Sequence, residues 1–180
     1  YRDDVVPFRG VRSFAVETGT TNLIDYNNDV PTTVECSYIK QTDYEYKIYT
    51  SSVDSFHVFR FGNKSFSKSP VTISFYLSKL SSISNIRFNL YNTVTSSNEL
   101  WATFDLTTQV LNITIGINAG VIDVDDYWRI YVTANVTIGD TFLLDFVSEE
   151  ESKNFIIKKV QLEQKPFATS FVDGSRPNGN

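Results

Sequence analysis

The sequence predicts an all-β domain, built as a sandwich or a barrel, on three observations. Its 180 residues include 14 Phe and 10 Tyr, and such residues suit a pleated, half-buried surface. No stretch repeats its apolar residues at the period of 3.6 that marks an amphipathic helix. Instead, about ten short segments alternate apolar and polar residues at period two, with turn-forming residues between them. The length fits one domain.

The alternating segments follow one another closely along the chain. They cover residues 44–50, 55–61, 71–78, 86–92, 100–106, 110–117, 127–137, 141–147 and 155–162. Residues 92–98, rich in Ser, Thr and Asn, predict a hairpin loop, and residues 119–120 and 123–126 predict turns. Trp128 lies on the apolar side of its segment and is predicted to belong to the core.

Three of these segments have a clear inward side. Their inward residues are Val71, Ile73, Phe75 and Leu77, then Ile86, Phe88 and Leu90, then Leu100, Ala102, Phe104 and Leu106. Because side chains alternate along a strand, the polar and aromatic residues between them point outward. If the three strands are neighbours, one exposed face carries Tyr76, Arg87, Asn89, Tyr91, Trp101 and Asp105.

The residue types of this predicted face leave two functions open. The apolar C–H face of a sugar ring stacks on aromatic rings, and its hydroxyls need the donors and acceptors that Arg, Asn and Asp supply. That chemistry favours a carbohydrate site. Aromatic residues and Arg are also enriched where protein subunits meet. A subunit contact is therefore an equal alternative.

Catalysis is not predicted, although the residues alone leave a pair of facing carboxylates, as in glycosidases, open as a third alternative. His57 is the only histidine, and it lies between apolar neighbours in an alternating segment. No nucleophile-elbow motif accompanies it. Cys36 is the only cysteine, so it forms no internal disulfide, and it is interpreted as a small buried residue. One His and one Cys make a poor zinc site, so no cofactor is expected.

Charge and hydropathy bear on the partners. The formal net charge is −5 and the sequence pI is about 4.9. An acidic chain presents no general attraction to phosphates, so nucleic acid is not an expected partner. No apolar run approaches the roughly 18 residues of a membrane helix, so membrane insertion is not expected.

The last alternating segment is predicted to close the domain. Its period places Ile156, Lys158, Val160 and Leu162 on one side and Phe155, Ile157, Lys159 and Gln161 on the other. Pro166 ends the pairing because it has no N–H to donate. Phe167 and Phe171 are predicted to pin the arm that follows onto the body.

Three stretches resemble a known family. Val160-Gln161-Leu162-Glu163 followed by Phe167-Ala168-Thr169-Ser170-Phe171 is similar to the closing strand of carbohydrate-binding-module-like jelly rolls of bacteriophage tail and other virion proteins. Residues 15–24 resemble the opening of those domains, and residues 127–133 resemble one of their internal strands. The resemblance implies an antiparallel jelly-roll β-sandwich.

The resemblance also implies a role and limits for the domain. Residues 1–16 would connect it to a preceding domain, residues 17–172 would form the jelly roll, and residues 173–180 would be an exit tail. The domain would be a non-catalytic module of a phage tail or head fibre, located on the virion and binding host surface glycan. The alternative is a structural decoration domain that packs on other virion subunits. A homo-oligomer, such as a trimer, is expected.

Related modules hold a structural calcium ion near their terminal strands. Glu17 and Asp173 would lie near each other there and are the residues that the resemblance assigns to such an ion. Their spacing does not resemble a dedicated calcium-binding loop.

Overall fold

The computed structural model describes residues 20–176, and these residues form strands, turns and loops without a helix. No helix that could span a membrane occurs among them. The fourteen strands are β1 Thr20–Thr21, β2 Thr32–Val34, β3 Cys36–Thr42, β4 Glu45–Thr50, β5 His57–Ser65, β6 Val71–Ser78, β7 Asn85–Asn92, β8 Ser97–Asp105, β9 Val110–Ile115, β10 Asn118–Val124, β11 Tyr127–Ala134, β12 Thr141–Ser148, β13 Asn154–Glu163 and β14 Ser175–Arg176.

Two six-stranded sheets pack face to face. Sheet 1 has the strand order β10-β11-β6-β13-β4-β3, and sheet 2 has the order β2-β5-β12-β7-β8-β9. Every pairing within them is antiparallel. This architecture confirms the predicted all-β, antiparallel jelly-roll β-sandwich. The short strands β1 and β14 form a separate pair, in which Thr20 faces Arg176 and Thr21 faces Ser175.

The core lies between the two sheets and is rich in aromatic rings. Phe75 of sheet 1 is fully buried, and its ring centroid lies 4.9 Å from those of Phe88 and Phe146 in sheet 2. The predicted inward residues of residues 71–78 and 86–92 are fully buried. In the third segment Leu106 is only partly buried, because β8 ends at Asp105. Trp128 belongs to the core, as predicted, and packs edge-on against Phe104.

The chain after β13, residues 164–172, is called the closing arm here, and it lies on the outer face of sheet 1. The hydroxyl of Thr72 donates to the carbonyl oxygen of Lys165 at 2.7 Å, and Thr169 donates to the carboxylate of Glu163 at 2.5 Å. Every residue of β6 is therefore buried, on one side by the core and along much of the other by the arm. Phe171 contacts Tyr44 with ring centroids 5.2 Å apart, as a pinning residue should. Phe167 does not pin the arm, since 46% of it is exposed.

A bulge in β13 overturns the predicted alternation of the closing strand. The core receives Phe155 and Ile157 before the bulge and Val160 and Leu162 after it. The pairing with β6 shifts between Lys158 and Gln161. Two residues there oppose one on the partner strand, which reverses the inward and outward sides beyond that point.

The predicted turn at residues 119–120 is wrong, because these residues belong to β10. Gly120 pairs with Tyr131 of β11, and a Cβ atom on Gly120 would lie 2.4 Å from the Tyr131 hydroxyl oxygen. Glycine thus makes room for a neighbouring ring, which is a use of glycine within strands. The second predicted turn is narrower than expected and is formed by Asp125 and Asp126.

The described residues include only part of the predicted domain boundaries. The connecting segment 1–16 and Glu17 lie outside the described residues. At the other end, Ser175 and Arg176 of the predicted exit tail pair with β1.

Candidate functional site

The outer face of sheet 2 brings together most of the side chains that the sequence singled out. Strands β7 and β8 are neighbours, and their register places Asn89 opposite Trp101. Arg87, Tyr91 and Trp101 are partly exposed, whereas Asn89 is buried to 6% exposure. Two of the three strands whose adjacency the prediction required are therefore neighbours.

Tyr76 does not belong to this face, and its prediction as part of the face is wrong. It lies on β6 in sheet 1, because residues 79–84 carry the chain from sheet 1 to sheet 2 between β6 and β7. Successive strands of a jelly roll often lie in different sheets, so closeness in sequence did not ensure closeness in space. Tyr76 instead lies on the opposite outer surface of the molecule and is 9% exposed.

Asp105 lies at the end of β8, where its carboxylate closes a turn. It accepts hydrogen bonds from the backbone N–H groups of Thr107 and Thr108, both at 2.8 Å. The bond from Thr108, followed by that from Thr107, holds the pKa of this carboxyl below its ordinary value. Its Oδ1 atom is thus engaged locally, and the role of Asp105 as a sugar ligand stays a prediction.

Two charged residues of the face were missed from the sequence, Arg60 on β5 and Asp145 on β12. Strand β12 lies between β5 and β7, and its register places Asp145 opposite both Arg60 and Asn89. Arg60 Nε and Nη2 donate to the two carboxylate oxygens of Asp145 at 2.6 and 2.8 Å. A row of side chains, Arg60, Asp145, Asn89 and Trp101, thus crosses four adjacent strands.

The alternation of β12 was a signal that could have found Asp145. It stands between Leu144 and Phe146, both fully buried, so it must point outward. Its side chain is nevertheless only 8% exposed, compared with 30% for Arg60. The hydrogen bonds to Asp145 are the main reason that the pKa of Arg60 lies above its ordinary value, and the nearby phenol of Tyr91 acts in the same direction.

Arg87 joins the aromatic residues of this surface. Its guanidinium carbon lies 5.3 Å from the ring centroid of Trp101 and 5.1 Å from that of Phe56. Glu149 lies 3.6 Å from Arg87 Nη1, at the exposed margin. We call the surface formed by Arg60, Arg87, Asn89, Tyr91, Trp101 and Asp145 the sheet 2 face. It combines two partly exposed aromatic rings with donors whose positions are fixed by ion pairing and stacking.

The only histidine and the only cysteine have structural surroundings. His57 is fully buried, with Nδ1 3.2 Å from the carbonyl oxygen of Ser148 and Nε2 3.3 Å from the hydroxyl of Ser51. Its burial withholds this Ser–His contact from a substrate. Cys36 is partly buried, and burial raises the pKa of its thiol to about 11. A thiol with so high a pKa is a weak nucleophile at neutral pH.

Of the two residues predicted to bind calcium, only Asp173 can be placed, because Glu17 lies outside the described residues. Asp173 accepts a hydrogen bond from the Tyr44 hydroxyl at 2.8 Å. It lines a small open cleft with Asn22, Asp25 and Asn27. Within residues 20–176, no group of three or more His, Cys, Asp or Glu side chains is arranged to hold a metal ion. The pairing of Glu17 with Asp173 stays a prediction.

No protein-family model matches the chain, and no curated protein matches it. Solved structures that overlay on it include a family 11 carbohydrate-binding module of Clostridium thermocellum in complex with a β-1,3-1,4-mixed-linked tetrasaccharide. It is 12% identical, with a TM-score of 0.46 over 81% of this chain and 96% of that chain. A second overlay, at 12% identity and a TM-score of 0.48, covers 81% of this chain and 62% of a chain from a study of carbohydrate-binding modules of the β-sandwich superfamily.

Proposed function

We propose that the domain is a non-catalytic carbohydrate-binding module and that the sheet 2 face is its binding site. The observation that carries the proposal is the row that joins Trp101 to Asn89 and to the Arg60–Asp145 pair, with Tyr91 beside it. Aromatic rings that are partly exposed next to fixed polar groups offer both kinds of contact that a sugar needs.

Each side chain has a distinct part in this proposal. Trp101 and Tyr91 stack on the C–H faces of sugar rings. Arg87 bonds to hydroxyls, and Asn89, whose amide already donates to Asn98 Oδ1 at 3.0 Å, offers them its remaining polar atoms. Asp145 holds the guanidinium of Arg60 in one orientation through two hydrogen bonds. Ion pairing leaves little net charge at that pair, so the ligand in this proposal is a neutral glycan.

The setting of the module is part of the same proposal. The similarity of residues 160–163 and 167–171 to virion jelly rolls supports a place on a phage tail or head fibre, where the module attaches the particle to host surface glycan. Several weak sites on one oligomer bind a repetitive surface far more tightly than one site does. A homo-oligomer, such as a trimer, therefore suits the proposed role.

The test is a glycan-array screen of the protein with Trp101→Ala beside it. We expect selective binding by the parent and a loss of affinity of about 30-fold or more in the variant, as for a central aromatic contact. Phe167→Ala is the matched control, because Phe167 is an exposed aromatic residue of the closing arm. It should bind as the parent does. Equal denaturation midpoints would show that all three proteins are folded.

A well-folded parent that binds no glycan would overturn this proposal and favour the structural decoration module. One observation supports that second candidate: the edge strand β9 exposes Val110, Ile113 and Ile115, at 48%, 43% and 37%. Exposed apolar residues on an edge strand suit contact with another subunit. In that case, sedimentation should show association that depends on concentration and is weakened by Ile113→Lys.

A further inference from the structure

The outer face of sheet 1 carries a positively charged cluster beside the closing arm. The register places Tyr76 between Arg129 of β11 and Lys158 of β13. The Arg129 guanidinium carbon, Lys158 Nζ and Lys159 Nζ lie 5.8, 5.9 and 5.8 Å from the Tyr76 ring centroid. All three cationic side chains are partly exposed. We call Arg129, Lys158 and Lys159 the basic cluster.

The bulge in β13 is what brings the two lysines to one side. In a regular strand, consecutive side chains point to opposite faces, so one of the two would enter the core. Lys159 has a φ of 50°, a left-handed conformation that is unfavourable for residues other than glycine. Bulges of this kind recur beside functional sites, where they redirect a side chain. Here the strained residue adds a third positive charge around Tyr76.

The charge of the basic cluster is not neutralised by the residues around it. Arg60, Lys64, Lys79 and Arg87 each have a carboxylate within ion-pairing distance. Among residues 20–176, Arg129, Lys158 and Lys159 have none.

The nearest acids do not change this balance. Glu45 accepts a hydrogen bond from the Tyr127 hydroxyl at 3.0 Å and, with Asp126, acts on Lys158 only at longer range. Glu163 and Asp173 lie beside the closing arm, where they accept hydrogen bonds from the hydroxyls of Thr169 and Tyr44, and none of these four carboxylates forms an ion pair with the cluster. A group of unpaired cations raises the local concentration of anionic ligands.

The aromatic rings of the cluster serve its cations and do not offer a stacking surface. Tyr76 is 9% exposed, and Lys158 Nζ lies 3.3 Å from the ring centroid of Tyr127, covering it. A ligand here is therefore held by charge and hydrogen bonds. Single-stranded nucleic acid binds largely by stacking its bases on aromatic rings, so this surface does not suit it.

We propose that the basic cluster binds the anionic group, carboxylate or sulfate, of an acidic polysaccharide, at a site separate from the sheet 2 face. Both groups present oxygen atoms that accept charge-assisted hydrogen bonds from guanidinium and ammonium groups. Arg129 already donates one hydrogen bond to the carbonyl oxygen of Thr169, which orients the guanidinium from the side of the closing arm. Neutral sugars have no counterpart to these charges and do not bind at this site.

The experiment is calorimetric titration of the whole chain with polygalacturonate, dextran sulfate and neutral dextran in about 50 mM salt, where charge interactions act at long range. Lys159→Gly removes a cation and suits the left-handed backbone, so this variant should be no less stable than the parent. Combined with Lys158→Gln, it should lower the affinity for the charged polymers about tenfold or more. Binding of either charged polymer supports the proposal, and the two polymers distinguish carboxylate from sulfate.

Lys47→Gln is the matched control, because Lys47 lies on β4, two strands from Tyr76 in sheet 1, and stacks on Tyr49 instead. Lys47→Gln should change the affinity for the charged polymers by less than twofold, compared with the tenfold loss expected for the double variant of the basic cluster. An equal effect of Lys47→Gln, or no binding of either charged polymer, would overturn the proposal. Tighter binding of poly(dT) than of both polymers would also overturn it. Trp101→Ala should leave this affinity unchanged, so the two proposed sites fail or succeed independently.

Discussion

Arg60 and Arg129 occupy similar places on the two outer faces but have different neighbours. Each lies on the strand next to an edge strand of its sheet, near a tyrosine. Arg60 forms two hydrogen bonds with the carboxylate of Asp145, which is itself nearly buried. Arg129 lies opposite Tyr76, with Lys158 on the next strand along the row. One face is thus neutral at its centre, and the other is positive.

The difference shows that ion pairing, more than residue type, decides what each surface attracts. Both faces contain arginine and aromatic residues, and composition alone assigns them the same ligand. On the sheet 2 face the carboxylate of Asp145 neutralises the cation and leaves Trp101 and Tyr91 as the accessible features. On sheet 1 the rings are largely covered, and the uncompensated charge is the accessible feature.

The largest effect on stability is expected at Phe75, because it packs between the two sheets that carry the two faces. Phe75→Ala should lower the free energy of unfolding by about 3–5 kcal/mol, because it leaves a cavity between the two sheets. Urea denaturation measures this change. Phe167→Ala, the same substitution at an exposed position, should change stability by no more than about 0.5 kcal/mol.

Glycan and polyanion binding should decline together in Phe75→Ala under conditions that unfold it. If the domain lost binding at one face alone while it unfolded, the two faces would not share a single cooperative core.

A smaller loss of stability is expected from removing the negative charge of Asp145, which distinguishes the sheet 2 face from the basic cluster. Asp145→Asn leaves Arg60 partly buried without an anionic partner, so it should cost about 1–3 kcal/mol of stability. Arg60→Met in the same chain should recover part of that loss, because no unpaired charge remains. Denaturation of the single and double variants measures the coupling.

Glu45→Gln provides the matched change on sheet 1. It removes an acid near Lys158 and should strengthen polyanion binding while costing less stability than Asp145→Asn. Weaker polyanion binding in Glu45→Gln would contradict the charge balance described for the basic cluster.

The smallest effect is a pH dependence of polyanion binding by the basic cluster. Burial, aided by the charge of Lys159, lowers the pKa of Lys158 below the ordinary value of 10.5. Polyanion affinity should therefore begin to fall at a pH below 10.5 as Lys158 loses its proton. Across the same window the unfolded chain binds more protons than the folded one, so the contribution of Lys158 to stability rises with pH. The charged and titratable groups around Lys158 are Tyr76, Lys159, Arg129, Glu45, Asp126 and Tyr127.

Tyr127 stays neutral across that window, because burial, followed by its hydrogen bond to Glu45, raises its pKa to about 12. Titration of polyanion binding against pH should show the early decline in the parent and not in Lys158→Gln. A decline in Lys158→Gln that matches that of the parent would point to a general effect of alkaline pH.

Period-two alternation was sufficient to predict the core, since Val71, Ile73, Phe75 and Leu77 are all fully buried. Side-chain direction follows from local geometry, which a single strand determines by itself. The same reasoning placed Arg87, Asn89 and Trp101 on an outer face. It failed for Tyr76, because no local pattern reveals which sheet a strand enters.

Two further errors share a physical cause, which is that the deviation depends on a neighbouring strand. Gly120 was predicted to form a turn, but the ring of Tyr131 occupies the space beside it, which is the reason for glycine there. The amino-acid sequence of β13 does not indicate the bulge at Lys159, because a lysine in a left-handed conformation is rare. The alternation rule could have placed Asp145 and Arg60 on an outer face. Predicting that they pair required the order of strands β5 and β12.

The pairing of Thr20–Thr21 with Ser175–Arg176 has a mechanical consequence. The two ends of the described chain leave the molecule side by side, because β1 and β14 are antiparallel and Thr20 faces Arg176. A pulling force on both ends would load these hydrogen bonds one after another, as in opening a zipper, and would next meet Asn22. The side chain of Asn22 donates to the carbonyl oxygen of Val160 and accepts from the N–H of Leu162. Resistance to tension would therefore build at β13, to which the hydroxyl of Thr20 and the side chain of Asn22 fasten the N-terminal end.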